Sequence, residues 1–220
     1  MAKIDIKGDI IVNDDKWIYD WLEWDSTAPK DIKSILDSTP ADEAIDVYIN
    51  SGGGDVFAGQ EMYSALKADE RVNIHIESLA GSAAGIIAMA GKCSISPVAM
   101  IMIHNVSMYG ASGDYHDMQK NVDALKRMNE AMASAYVEKS GRPLDEILKL
   151  MDKETWLTAN QCLEYGFVDE IESTPVNGGA FFNAISGQRL TDEIREKVKA
   201  EMQKAKDKEE IMKDLDLYGI

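Results

Sequence analysis

Basic residues are scarce in this chain of 220 residues: 23 Lys and Arg stand against 39 Asp and Glu, a formal charge of −16. A surface of that sign repels phosphate backbones and anionic headgroups, which argues against direct binding of nucleic acid or of an anionic membrane. Histidine and cysteine are scarcer still, with three and two residues. Cys93 and Cys162 match no metal-ligand spacing and make no disulfide framework; both read as small buried hydrophobes. With only His75, His104 and His116 as imidazoles, a metal site has little to be built from, and neither a metal nor an organic cofactor is expected. Long apolar runs are missing too. The longest, around Ile86 to Ala90, is far too short to span a bilayer. Met1-Ala2-Lys3 leads directly into a strand pattern with no signal sequence, so the cytoplasm is the expected compartment. There is no G-x-x-x-x-G-K-[ST] loop, and any dependence on ATP would have to come from a partner. No internal repeat is evident.

What the chain does have is concentrated at the ends of strands. Val72-Asn73-Ile74-His75-Ile76 alternates as a strand, and the segment from Leu79 through Ser82 to Gly91 follows it. Ser82 is the one hydroxyl among residues with almost no side chains, where the strand gives way to an Ala-rich helix apolar on every face. A helix N-terminus offers unpaired N–H groups and a positive dipole end, which suit a developing oxyanion. Taken alone, the segment is better explained by a serine cap.

Three further segments shift that balance. Asp46-Val47-Tyr48-Ile49-Asn50-Ser51 is a buried strand running into Gly52-Gly53-Gly54, where the backbone is bare enough to meet a ligand. Ala99 to Ile103 is an apolar strand ending in His104. Asp152-Lys153-Glu154 places acids just ahead of a helix. Serine, histidine and acid, in the order Ser82, His104, Glu154, are the inventory of a nucleophile, its general base and the group that orients the base.

The coarse pattern predicts a layered α/β core. Strands are expected near 4–12, 45–50, 72–78, 93–96 and 99–104, and helices near 28–37, 57–68 and 82–90. Val106 to Gly113 reads as a loop or edge strand. Asp117 to Lys139 reads as a long helix striped with Met118, Val122, Leu125, Met128, Met132, Ala135 and Tyr136, ended by Gly141 and Pro143. Residues 1–172 form the expected domain. Residues 173–220 form a linker with Phe181 and Phe182, then a charged helix over 190–217, read as a solvated appendage with a broken stripe of Ile194, Val198 and Met202.

Four motifs resemble the proteolytic subunit of the Clp protease (ClpP) family, peptidase S14. They are Ile49-Asn50-Ser51-Gly52-Gly53-Gly54; Ala80-Gly81-Ser82-Ala83; Met102-Ile103-His104-Asn105; and Glu154-Thr155-Trp156-Leu157-Thr158-Ala159 with Leu163-Glu164-Tyr165-Gly166-Phe167-Val168-Asp169. The resemblance runs from Ile4 to about Glu172. It implies a ClpP/crotonase-like spiral of ββα units with a protruding handle helix and a C-terminal helical extension. It implies serine-type endopeptidase activity on peptide and protein substrates, with Ser82 as nucleophile, His104 as base, Glu154 as the third member, and Gly53 and Ala83 as oxyanion-hole N–H donors. It further implies a homo-oligomeric ring, heptameric, single or stacked in pairs through the long helix.

Two departures stand out: Gly52 replaces a usual proline and Glu154 a usual aspartate, with Asp152 two residues away as the competing acid. The chain also opens on the first core strand, without the segment that makes axial loops for an ATP-driven unfoldase. These departures resemble the phage and prophage head maturation proteases, whose substrates are capsid or scaffold proteins and whose place is the host cytoplasm or procapsid interior. The alternatives are a housekeeping proteolytic subunit fed by an unfoldase, a crotonase-type acyl-CoA enzyme, and a non-catalytic ring protein.

Overall fold

The computed structural model describes residues 2–172, 194–204 and 206. Its frame is a parallel sheet in the order β2 (Ser26–Thr27), β1 (Ala2–Ile10), β3 (Ile45–Gly54), β4 (Val72–Gly81), β5 (Lys92–Ile95) and β8 (Glu170–Ile171). Alternation in the sequence decides which face is buried. Ile4, Ile6, Ile45, Val47, Ile49, Ile74 and Ile76 all point into one core, where they join Met62 and Leu66 of α3 (Val56–Lys67) and all six residues of α4 (Ala83–Ala88). The opposite face carries Asp5, Lys7, Asp46, Tyr48 and His75, which are exposed or half-buried among the described residues.

Strand β4 serves two neighbours. Its first half pairs with β5 (Asn73–Ile76 with Lys92–Ile95), and its second half pairs with β6 (Met100–Ile103) through Leu79–Gly81. An antiparallel strand, β7 (Thr155–Thr158), then covers β6. Two register steps distort the centre of the sheet. Pairing of β1 with β3 moves from Lys7↔Asn50 to Asp9↔Gly53, leaving Ser51 and Gly52 opposite Gly8 alone. Pairing of β3 with β4 moves from Ile49↔Ile76 to Ser51↔Ala80. Bulges of this kind bend a strand and re-aim its side chains, and they are common beside active sites.

Two helices, α1 (Lys16–Trp21) and α2 (Pro29–Ser38), follow β1 and β2. The long helix α5 (Tyr115–Ser140) begins at the Asp114 cap, whose carboxylate accepts the His116 and Asp117 amides. It ends at Gly141, φ 69°. Only its last third is buried, at Met132, Ala133, Ala135 and Tyr136; the rest stands away from the core. Then come α6 (Leu144–Asp152) and α7 (Ala159–Tyr165).

The layered α/β architecture matches the sequence expectation, while several elements exceed it. Helices α1 and α6 and the two-residue strands β2 and β8 lie outside the expected pattern, and Thr155–Thr158, read as the approach to a helix, is a strand. Residues 173–193, which hold the expected linker and its aromatic anchors, lie outside the described residues. Residues 194–204 are helical (α8) and do not float free on every side. Val198 is buried against Ile11, Ile18, Tyr19 and Ala28, with Ile194 and Met202 at the margin. Arg195 donates to both oxygens of Asp15, at 3.2 and 2.5 Å. The stripe with a spacing of four residues therefore finds a partner on the N-terminal elements.

Candidate active site

The carboxyl ends of the parallel strands form the site, where open α/β sheets commonly bind ligands. Ser82 follows Gly81 at the end of β4 and adopts φ 53°, ψ −120°. Such a backbone is rare for a residue with a side chain and costs on the order of 1–3 kcal/mol. It lifts Oγ out of the strand-to-helix turn, as in nucleophile elbows of other hydrolases. Packing holds the turn there. The Ser82 amide donates to the Met102 carbonyl at 2.8 Å, and its carbonyl accepts from Gly85 at 3.0 Å. A Cβ placed on Gly53 would lie 2.6 Å from Cβ of Ser82, so only glycine lets β3 pass beneath the serine.

His104 leaves the end of β6 and sets Nε2 2.7 Å from Oγ of Ser82. For Ser82 to donate its proton, Nε2 must be the unprotonated nitrogen and Nδ1 must carry the ring N–H. The flanking chain is pinned on two sides: Asn105 Nδ2 donates to Asp152 at 2.8 Å, and the Val106 amide donates to Asn129 of α5 at 2.7 Å.

The two candidate acids differ in what they do. Asp152 ends α6 and is held by Asn105. Glu154 sits in the turn before β7 with φ 48°. The β6–β7 register ends at Ile103↔Thr155, so His104 and Glu154 each follow the last paired residue on their own side.

The Gly53 amide, expected from the sequence as an oxyanion donor, donates instead to Ser51 Oγ at 3.1 Å. Gly53 is buried and Gly54 exposed, as strand alternation requires. Gly54 lines the same cavity as Ser82 and His104, while at this level the Asp55 amide carries the bond to β1 (Ile10 carbonyl, 2.8 Å). Ala83 opens α4 directly after the serine. The remaining cavity wall is largely apolar: Val56, Ile86, Val106, Met132, Tyr136 and Met151.

A second serine–histidine–acid grouping lies on the polar face of the sheet, across β4, β5 and the residue after β8. Ser94 Oγ donates to Glu172 at 2.6 Å and stands 2.8 Å from Nδ1 of His75. Its proton goes to a carboxylate and not to the imidazole, and Ser94 is only 5% exposed. This is a structural network. The two cysteines are also structural: both are buried, and burial pushes the Cys162 thiol up to about 12 and the Cys93 thiol further in the same direction. Among the described residues, no group of three or more His, Cys, Asp and Glu could hold a metal ion. No helix among them is long and apolar enough to cross a membrane.

Comparison with known proteins adds to this geometry. The profile described as Clp protease matches residues 27–175, well over half of the chain. This chain belongs to the Clp protease family. Members similar to it include the ATP-dependent Clp protease proteolytic subunit of Bacteroides fragilis, 31% identical over 140 residues that cover 62% of this chain and 67% of the relative. The corresponding subunit of Dehalococcoides mccartyi is 32% identical over 147 residues, 65% of this chain and 73% of the relative. Subunit 1 of Corynebacterium glutamicum is 30% identical over 155 residues, 67% of this chain and 74% of the relative. The protein is therefore a serine endopeptidase of that family. The matched span includes Ser82, His104 and Glu154.

Proposed function

We propose that this protein hydrolyses peptide bonds with Ser82 as nucleophile, His104 as general base and Glu154 as the acid that orients His104. The observation that carries the reading is the 2.7 Å approach of His104 Nε2 to Ser82 Oγ at a strained strand-to-helix turn. His104 takes the serine proton as Oγ attacks the substrate carbonyl, and returns it to the leaving amine. Water, activated by the same imidazole, then releases the acyl group. The oxyanion is held by the Ala83 amide and, because the Gly53 amide is taken by Ser51, by the amide of Gly54. The apolar wall of the cavity supports cleavage beside an apolar side chain.

The substrates are proteins, and the active form is a homo-oligomeric ring. The support for assembly is α5, whose first two-thirds carry Met118, Val122, Leu125 and Met128 away from the protomer core, with Val122 43% exposed. For the biological setting, the reading we favour is shell-protein maturation in a phage or prophage, acting on a capsid or scaffold protein. Gly52 and Glu154, which depart from the usual family motifs, support it. The similar proteins described above, all subunits of ATP-dependent Clp proteases, favour a degradative chamber fed by an unfoldase. The purified protein should be tested on its co-encoded shell protein, and on an unfolded protein with and without an ATP-driven unfoldase. Ser82-dependent processing without ATPase is the expected result. Cleavage seen only with unfoldase and ATP transfers the protein to the second setting.

A further inference from the structure

Ser51 is the least conspicuous residue of the glycine strand, and its side chain makes two hydrogen bonds that no helix or sheet requires. It is 3% exposed. Its Oγ accepts the Gly53 amide at 3.1 Å and donates to the Gly8 carbonyl at 2.6 Å. Both partners sit at the β1–β3 bulge, where Ser51 and Gly52 oppose Gly8 and the backbone ladder is interrupted. The hydroxyl thus replaces the ladder at the one place where β1 and β3 lose register, and it does so three residues before the strand reaches the cavity at Gly54.

The consequence lies in the next peptide. Successive amides of an extended strand point to opposite sides. With the Gly53 N–H fixed toward Ser51, the Gly54 N–H is turned the other way. Gly53 and Gly54 have φ of 99° and 156° and no side chains, so the direction of the peptide between them is set by its partners: the pairing with Asp9 and Ile10 of β1 on one side and the Ser51 hydroxyl on the Gly53 amide. The Asp55 amide, bound to the Ile10 carbonyl, fixes the far end of the same short stretch.

We propose that Ser51 is a positioning residue of the hydrolytic site: its hydroxyl, clamped between the Gly53 amide and the Gly8 carbonyl, sets the direction of the Gly54 amide toward the oxyanion. This rests on the hydrolytic reading of Ser82 and His104. It assigns no chemical step to Ser51, which is shielded from substrate.

The test uses the full chain and its variants Ser51→Ala and Ser51→Thr. Active sites are counted by exhaustive fluorophosphonate labelling read as intact mass, and kcat and KM for a fluorogenic peptide are expressed per labelled site. Loss of the clamp should lower kcat per site about 10–100-fold, less than outright removal of an oxyanion donor, while KM stays within about 3-fold. Affinity for a peptide boronate, which mimics the tetrahedral state, should fall in step with kcat, and Ser51→Thr should recover most of both. Hydrogen exchange of the segment 50–55 should quicken in Ser51→Ala alone. Wild-type kcat per labelled site in Ser51→Ala, or a loss confined to the number of labelled sites, would overturn the proposal and leave Ser51 as a packing residue. Unchanged exchange over 50–55 would overturn it whatever the activity. A wild-type protein that takes no label on Ser82 would overturn the hydrolytic reading itself, while the exchange comparison still decides whether the clamp exists.

Discussion

At the residue scale, two acids compete for one role, and their partners separate them. Asp152 is engaged with Asn105, whereas Glu154 adjoins Thr155, the partner of Ile103 in the last pair of the β6–β7 ladder before His104. Glu154→Gln should therefore cut kcat by orders of magnitude, because a neutral amide cannot stabilise imidazolium and permits the wrong tautomer. Asp152→Asn should cost less than about 10-fold. Steady-state kinetics on the two variants decide it, and a larger loss in Asp152→Asn would move the role to that residue. The serine carries a second expectation through its backbone. At φ 53°, ψ −120°, glycine is at ease and alanine is not. Ser82→Gly should be more stable than Ser82→Ala by about 1 kcal/mol, even after glycine's extra unfolded-state entropy. Urea denaturation of the two inactive variants measures the difference, and a more stable alanine variant would deny the strain.

Residues of this kind were largely legible in the sequence. A hydroxyl among glycines and alanines, and a histidine closing an apolar strand, advertise themselves through what surrounds them. The direction of a backbone amide does not. Choosing between Gly53 and Gly54 depends on a bulge at Gly8, more than 40 residues away in the chain, and on the side chain of Ser51 filling it. Nothing in a run of three glycines says which one faces the cavity.

At the element scale, periodicity and apolar runs gave reliable expectations even for the short β5, β6 and α4, whereas elements defined by their partners escaped. Strands β1, β3 and β4 and helices α2, α3 and α5 fall within a few residues of where alternation and caps put them. Strand β7, four residues long, owes its existence to β6; local pattern alone does not define it. The C-terminal stripe of Ile194, Val198 and Met202 looked too sparse to dock, yet the apolar surface of Ile11, Ile18 and Tyr19 is there to receive it.

One network ties several elements together and makes a pH prediction. Asp169, just before β8, accepts from Lys139 of α5 at 2.5 Å and from the Cys93 amide of β5 at 2.7 Å, and Lys139 also donates to the Gly91 carbonyl. Burial works against its ionisation, but the Lys139 ammonium and the Cys93 amide outweigh it and hold the carboxyl below its usual range. A carboxylate depressed on folding contributes stability that is present above its unfolded pKa, about 3.9, and lost as pH falls through the folded value. Asp169→Asn should lower stability by about 1 kcal/mol at pH 7, a modest figure because the carboxylate is partly exposed. The gap to wild type should close below about pH 4. Denaturant titrations at pH 7 and pH 3 check this; a gap that persists at pH 3 would assign the effect to packing.

At the scale of the whole molecule, the exposed length of α5 and the solvated face of the sheet describe a protomer built to be covered. Sedimentation or native mass measurement at micromolar concentration should find an assembly of several protomers. Val122→Asp, which places a charge in the exposed stripe, should shift it to smaller species while the fold is retained by circular dichroism. A wild-type monomer in both low and moderate salt would contradict the assembly. One measurement tests the nucleophile directly. The full-length protein is treated with a fluorophosphonate, and its intact mass and peptide map are read. A single adduct on Ser82 is expected, absent in Ser82→Ala and greatly slowed in His104→Ala. An unlabelled Ser82 in assembled protein, or peptide cleavage by Ser82→Ala at the wild-type rate, would contradict it.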